Sequence, residues 1–167
     1  MGQIVPLETL SDLGARLRAA GQRVVLTNGH FDLLHVGHLR SLQAARELGD
    51  VLIVAINNDL STTRRKGPGR PVVPEDERAE LIAALTCVDY VTIFGEVTAE
   101  RVVSLLRPDI YAKGGDYAAS AVAAGPHPVR LPEAAVVQSY GGQVQMLPLF
   151  PGRSTTMLAR KLRDLDR

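Results

Sequence analysis

Cysteine occurs once in this 167-residue chain, at Cys87, so an internal disulfide is impossible and a thiolate zinc site lacks its ligands. A reducing, cytoplasmic setting is the expectation that follows. Tryptophan is absent and aromatics make up 4% of the residues, too few to build a base-stacking surface. The formal net charge is only +1, which removes any global electrostatic case for nucleic acid or an anionic membrane. No apolar run reaches membrane-spanning length, and the N-terminus lacks the charged-then-apolar order of a secretory leader. Nucleic acid and membrane are therefore not expected partners, and no internal repeat is present. What remains is ordinary for a globular protein, with 46% apolar and 22% charged residues. The length favours one domain over residues 1–167, an N-terminal helix within 1–22 preceding a core over 23–167.

Apolar spacing predicts a helix from Leu7 to Ala20, through Leu7, Leu10, Leu13 and Leu17, with Gly21 as its stop. Short β-branched runs at Val24–Thr27 and Val51–Ile56 read as buried strands, joined by a helix from Gly37 to Leu48. Residues 57–73 read as a polar loop, and Pro74–Leu85 as a helix with proline and acidic residues in its first turn. Strand 90–94, helix 99–106, strand 110–112, strand 144–147 and a closing helix over 155–165 complete the alternation. The Ala/Pro-rich stretch 118–142 reads as a loop with some helix. Strands alternating with helices imply right-handed crossovers and a parallel sheet covered on both faces. In such sheets ligands bind at the carboxyl ends of the strands, so the loops that follow them hold the candidate site.

The first of these loops contains three of the four histidines, in Asn28-Gly29-His30-Phe31-Asp32-Leu33-Leu34-His35-Val36-Gly37-His38. It feeds a helix start, where unpaired N–H groups and the positive dipole end favour phosphate. Gly37 has no Cβ to hold a ligand away from the backbone. His35 and His38, three apart, can donate N–H groups to one phosphate; they also suit a plain helix cap. A zinc pair is the poorer reading, because no nearby Cys or Glu completes a ligand set. Arg64, Arg65, Lys66 and Arg70 follow the second strand, placed to clamp phosphate or merely to lie in solvent. Asp59 suits a ribose hydroxyl, a metal or a helix cap. Lys113-Gly114-Gly115-Asp116-Tyr117 follows another strand, and the glycines allow positive φ or close ligand approach. Arg153, Ser154, Thr155 and Thr156 open the last helix, either as a second anion site or as an ordinary cap.

The stretch Gly29 to His38 resembles the HxGH signature of the cytidylyltransferase-like nucleotidyltransferases. Arg153-Ser154-Thr155-Thr156 is similar to the end of that family's second signature, where Ile usually precedes Ser-Thr-Thr. Thr27 to Gly49, Lys66-Gly67-Pro68 with Arg70-Pro71, Glu75 to Asp89 with Arg78, Arg107-Pro108-Asp109, Lys113 to Tyr117 and Gly141 to Thr156 resemble the branch that adenylylates D-glycero-β-D-manno-heptose 1-phosphate. His30 departs from the Cys usual there, and residues 118–137 form a longer, more Ala/Pro-rich stretch than is usual. The branch is often fused to a sugar kinase, for which 167 residues leave no room, so a stand-alone form is expected.

The resemblance implies a Rossmann-like three-layer α/β/α sandwich with a five-stranded parallel sheet, order 3-2-1-4-5, and a homodimer. It implies transfer of AMP from ATP, carrying Mg²⁺, to a sugar 1-phosphate, with no metal held by the protein itself. His35, His38 and Lys113 would be catalytic. Asn28, Gly29, His30, Phe31, Gly37, Arg153, Ser154, Thr155 and Thr156 would hold the nucleotide. Asp32, Asp59, Arg65, Lys66, Arg78, Gly114 and Asp116 would meet the sugar or its phosphate. Two other readings stay open: a cytidylyltransferase acting on glycerol 3-phosphate or a similar alcohol phosphate, and a non-catalytic ATP-binding module.

Overall fold

The computed structural model describes residues 1–114 and 131–148, together with helical positions Thr155, Met157, Leu158, Lys161 and Asp164. Asp116, Arg153, Ser154 and Thr156 lie outside the described residues, as does most of the Ala/Pro-rich stretch.

Val51–Asn57 (β3) is buried along its whole length, as expected for a strand covered on both faces of a parallel sheet. Val24–Gly29 (β2) pairs with it on one side, and Ile110–Lys113 (β5) pairs with β2 on the other. Tyr90–Phe94 (β4) flanks β3, and Gln143–Met146 (β6) flanks β5. Every pairing is parallel. The expected five strands become six, because Gln3–Ile4 (β1) adds to the outer edge of β4, giving the order β1-β4-β3-β2-β5-β6. Residues 1–22 therefore hold a strand as well as a helix. Two residues are too few to show alternation; backbone bonds such as Gln3 N to Asp89 O at 2.9 Å define this strand.

Alternate side chains enter alternate layers, as the pleat requires. Val24 and Leu26 of β2 and Ile53 and Ala55 of β3 pack under Leu10–Ala19 (α1), Glu100–Leu106 (α5) and Pro132–Ser139 (α6). Val25, Leu52, Val54 and Ile56 face Val36–Arg46 (α2) and Glu75–Ala83 (α4). Leu7, Leu10, Leu13 and Leu17 are all buried, although Leu7–Thr9 is a 3₁₀ turn rather than the first turn of α1. Gly14 of α1 sits so close to α5 that a Cβ would lie 2.4 Å from Leu106 O, so the helix pair needs glycine there.

Asp109, just ahead of β5, accepts Val24 N at 2.7 Å, and Asp89, ahead of β4, accepts Leu52 N at 2.7 Å. Each carboxylate satisfies a neighbouring strand's first N–H groups, which pins register at the amino edge and leaves the carboxyl edge open for ligand.

The predicted loop over 57–73 is corrected: Asp59–Lys66 (α3) is helical. Its apolar content is too low for a periodic signal, and Leu60 is exposed. Capping specifies it instead. Asn58 accepts Ser61 N at 2.8 Å, Arg64, Arg65 and Lys66 occupy the last turn where the dipole favours cations, and Gly67 at φ 95° ends it. Its buried face carries the hydroxyls of Ser61 and Thr62.

Candidate functional site

β2 and β5 are neighbours, yet the chain leaves β2 toward β3, so the strand order reverses at this pair. A cleft of about 350 Å³ opens at their carboxyl ends. Asn28, Gly29 and His30 come from the end of β2, Asn57 from β3, Arg65 and Lys66 from α3, Lys113 from β5 and Glu133 from α6. His35 and His38 stand at the start of α2, on the same loop as His30 but outside this cleft lining.

His35 is the N-cap of α2. Its Nδ1 accepts Gly37 N at 3.1 Å and His38 N at 3.3 Å. This corrects the expectation that those two N–H groups are open to phosphate, because the cap engages them. It also settles the tautomer: an Nδ1 that accepts two bonds carries no proton, so neutral His35 holds its proton on Nε2 and can donate it outward. The His38 ring stacks on His35, centroids 3.8 Å apart at 17°, and meets Phe31 edge-on at 5.2 Å. Phe31, expected among the nucleotide contacts, is buried with φ 47° and braces His38. Burial, then the adjacent His35, lowers the pKa of His38 to about 4, and burial lowers that of His35. At neutral pH both rings are neutral N–H donors rather than cations.

In the cleft, Lys113 Nζ donates to Asn28 Oδ1 at 2.6 Å, and the Tyr111 hydroxyl donates to the same oxygen at 2.6 Å. Asn28 therefore orients Lys113. Burial lowers the Lys113 pKa, Glu133 opposes that shift and Arg65 adds to it. His30 Nδ1 lies 3.0 Å from Thr62 Oγ1. Burial, followed by Lys66, Arg65, Arg78 and Lys113, lowers its pKa to about 4. So His30 shares the cleft with Arg65, Lys66 and Lys113, the groups expected to meet the second substrate. Gly114 has no positive φ, and a Cβ there would come no closer than 3.8 Å to Ser41 Oγ, so no steric demand for glycine exists among the described residues.

Three residues expected at the substrate have structural partners. Arg78 is 1% exposed; its guanidinium donates to His30 O, to Asn57 O at 2.9 Å, to Val73 O at 2.9 Å and to Asp59 Oδ1 at 2.6 Å. It fastens three separate segments from beneath the site, and Asp59 is its half-exposed counter-ion. Asp32 is buried, accepting Arg70 Nη1 at 2.6 Å, Val72 N at 2.6 Å and Val73 N at 3.1 Å. Burial pushes its carboxyl up, but Arg70 and the backbone donors outweigh that and hold it below the ordinary carboxylate range. Asn57, Thr62 and Glu133 were missed from sequence. Asn57 closes its strand as the first polar residue, which was a usable signal; Glu133 lies far along the chain and offered none.

The two deeply lowered histidines predict a pH dependence of stability. The native state takes up protons on His30 and His38 only near pH 4, whereas the unfolded chain does so near the ordinary 6.5. Between these values the unfolded state binds more protons, so stability is full above about 6.5 and falls as pH drops toward 4. Tm measured across this window should decline in the parent protein, and less steeply in His30→Gln. Equal slopes would remove His30 from the account.

A cationic cleft, a capped imidazole pair at a helix start and a reversing parallel sheet together define a phosphate-handling α/β enzyme of the nucleotidyltransferase kind. The cytidylyltransferase-like family profile matches residues 26–161, and the chain belongs to that family. It is 48% identical over 155 residues to the bifunctional protein HldE of Trichlorobacter lovleyi, covering 93% of this chain and 30% of that protein. Identity with the bifunctional protein HldE of Streptomyces coelicolor is 49% over 146 residues, covering 87% and 30%. The chain thus spans about a third of the length of these curated relatives. A crystal structure described as the lipopolysaccharide core biosynthesis protein from Thermoplasma volcanium superposes with TM-score 0.63 at 28% identity, covering 78% of this chain and 99% of that one. Among the described residues, no helix is long and apolar enough to cross a membrane.

Proposed function

We propose that the chain transfers AMP from ATP to D-glycero-β-D-manno-heptose 1-phosphate, forming ADP-heptose and pyrophosphate. The observation that carries the reading is the stacked, neutral His35–His38 pair on the loop that also delivers His30 to the Arg65, Lys66 and Lys113 cleft. Two adjoining polyanion sites are what a bimolecular phosphoryl exchange needs. The motif resemblance to the heptose branch and the identity with the HldE relatives support the choice of substrate.

In this reading an oxygen of the sugar phosphate attacks the α-phosphorus of ATP, and the bond to the β,γ-pyrophosphate breaks. The nucleophile is already ionised, so no general base is required. The protein's work is to bring two polyanions together and to stabilise charge on the α-phosphate. His35 Nε2 and His38 supply neutral donors for that charge. Lys113, Lys66 and Arg65 neutralise the attacking phosphate, while Arg153, Ser154, Thr155 and Thr156 hold the β and γ phosphates. Nucleotidyltransferases generally use a divalent metal. Among the described residues no three His, Cys, Asp or Glu side chains cluster to hold a metal, so Mg²⁺ would come bound to the triphosphate and supply charge neutralisation there.

Pyrophosphate release with ATP and D-glycero-β-D-manno-heptose 1-phosphate, compared with CTP and glycerol 3-phosphate, tests the reading. The expected result is a higher kcat/KM for the first pair. Preference for the second pair would make the chain a cytidylyltransferase, and release with neither would leave only a binding module.

A further inference from the structure

Glu133 is 3% exposed at the first turn of α6, yet it lines the cleft whose other charged groups among the described residues are Arg65, Lys66 and Lys113. A carboxylate opposes phosphate binding there, so its presence needs a reason. Half of the reason is structural. Oε1 accepts Ala99 N at 2.8 Å, capping α5 from another helix, since α5 has no side-chain cap of its own. Among the described residues, the second oxygen, Oε2, has no such bond. Glu133 and Lys113 line the same cleft, and the carboxylate raises the Lys113 pKa against its burial.

We propose that Glu133 Oε2 accepts ligand hydroxyls in this cleft and selects a phosphorylated polyol over a bare phosphate. The residue's role rests on the sugar-phosphate reading above. The ligand's phosphate lies against Lys66, Arg65 and Lys113, and its hydroxyls donate to Glu133. A carboxylate can only accept, so it rewards a hydroxyl-bearing ligand and repels a second anionic group. Inorganic phosphate meets the cations but brings no neutral hydroxyl-bearing ring, so it gains nothing from Glu133. The cleft volume is within the range of small-molecule sites.

The test is calorimetric titration of the full chain and of Glu133→Gln with inorganic phosphate, glycerol 3-phosphate, D-mannose 1-phosphate and D-glycero-β-D-manno-heptose 1-phosphate. Glutamine retains a carbonyl for Ala99 N and loses the charged acceptor. The parent protein should bind at least one sugar phosphate more tightly than inorganic phosphate. In Glu133→Gln that ligand should weaken by about 10-fold or more, as for loss of a hydrogen bond to a charged group. Inorganic phosphate should bind as before or more tightly, because a repulsive charge is gone, and Tm should hold. An unchanged sugar-to-phosphate preference would overturn the proposal. So would a parent protein with no such preference, or equal losses for all ligands with a lowered Tm, the mark of a purely structural cap. Binding ratios are read without turnover, so failure here is distinct from failure of the proposed reaction, which pyrophosphate release reports.

Discussion

His38→Ala is expected to lower kcat by about 10²- to 10³-fold, the range seen when one preorganised transition-state donor is removed. The ring is stacked on His35 and braced by Phe31, so its orientation is set before any ligand arrives. Its pKa near 4 means that the donor is a neutral N–H at every pH where the enzyme would work. Donation should strengthen as negative charge builds on the transferred phosphate, so the loss should fall on kcat, with KM for ATP moving only a few-fold. His38 is half-buried, so truncation should cost little stability and leave the circular dichroism spectrum unchanged. Steady-state pyrophosphate release checks this. Turnover within a few-fold of the parent would remove His38 from the chemistry.

Arg78→Met is expected to destabilise the fold by about 3–5 kcal/mol, the range for removing one partner of a buried charged network. Methionine fills similar space but leaves the carbonyls of His30, Asn57 and Val73 without their donor. Leaving one buried acceptor unsatisfied costs about 1–3 kcal/mol, and three are affected together. Asp59 is half-exposed and can turn to water, which limits its share. Lysine should not rescue, because one ammonium cannot span acceptors that a forked guanidinium reaches at once. Urea unfolding should show the midpoint fall with an unchanged slope. In folded protein kcat/KM should drop as well, since the three tethered segments carry the site. A loss below about 1 kcal/mol would mean that water replaces the guanidinium.

Local rules determined much of this protein. Continuous apolar runs such as Val51–Ile56 admit burial on both faces and little else. The spacing of Leu10, Leu13 and Leu17 marks α1, and alternation of the two patterns requires a parallel α/β sheet. His35, His38, Lys66 and Lys113 were legible as candidates for phosphate because each follows a strand and so lies at one edge of the sheet. Helix α3 escaped a periodicity search because caps and hydroxyls hold it rather than an apolar stripe.

Tertiary structure alone decided what those side chains do. Asp32, Asp59 and Arg78 have the chemistry of substrate ligands, and sequence cannot say whether a charge faces a cleft or another charge. Packing answers that: Arg78 lies beneath the site because three carbonyls from separate segments converge on it. His30, assigned with the nucleotide, shares its cleft with Arg65 and Lys66, residues more than thirty positions away. Glu133, the Gln3–Ile4 edge strand and the tautomer of His35 depend on contacts between distant segments or on the angle of a single ring. Periodicity and motif spacing report on neighbours along the chain; these features were set by neighbours in space.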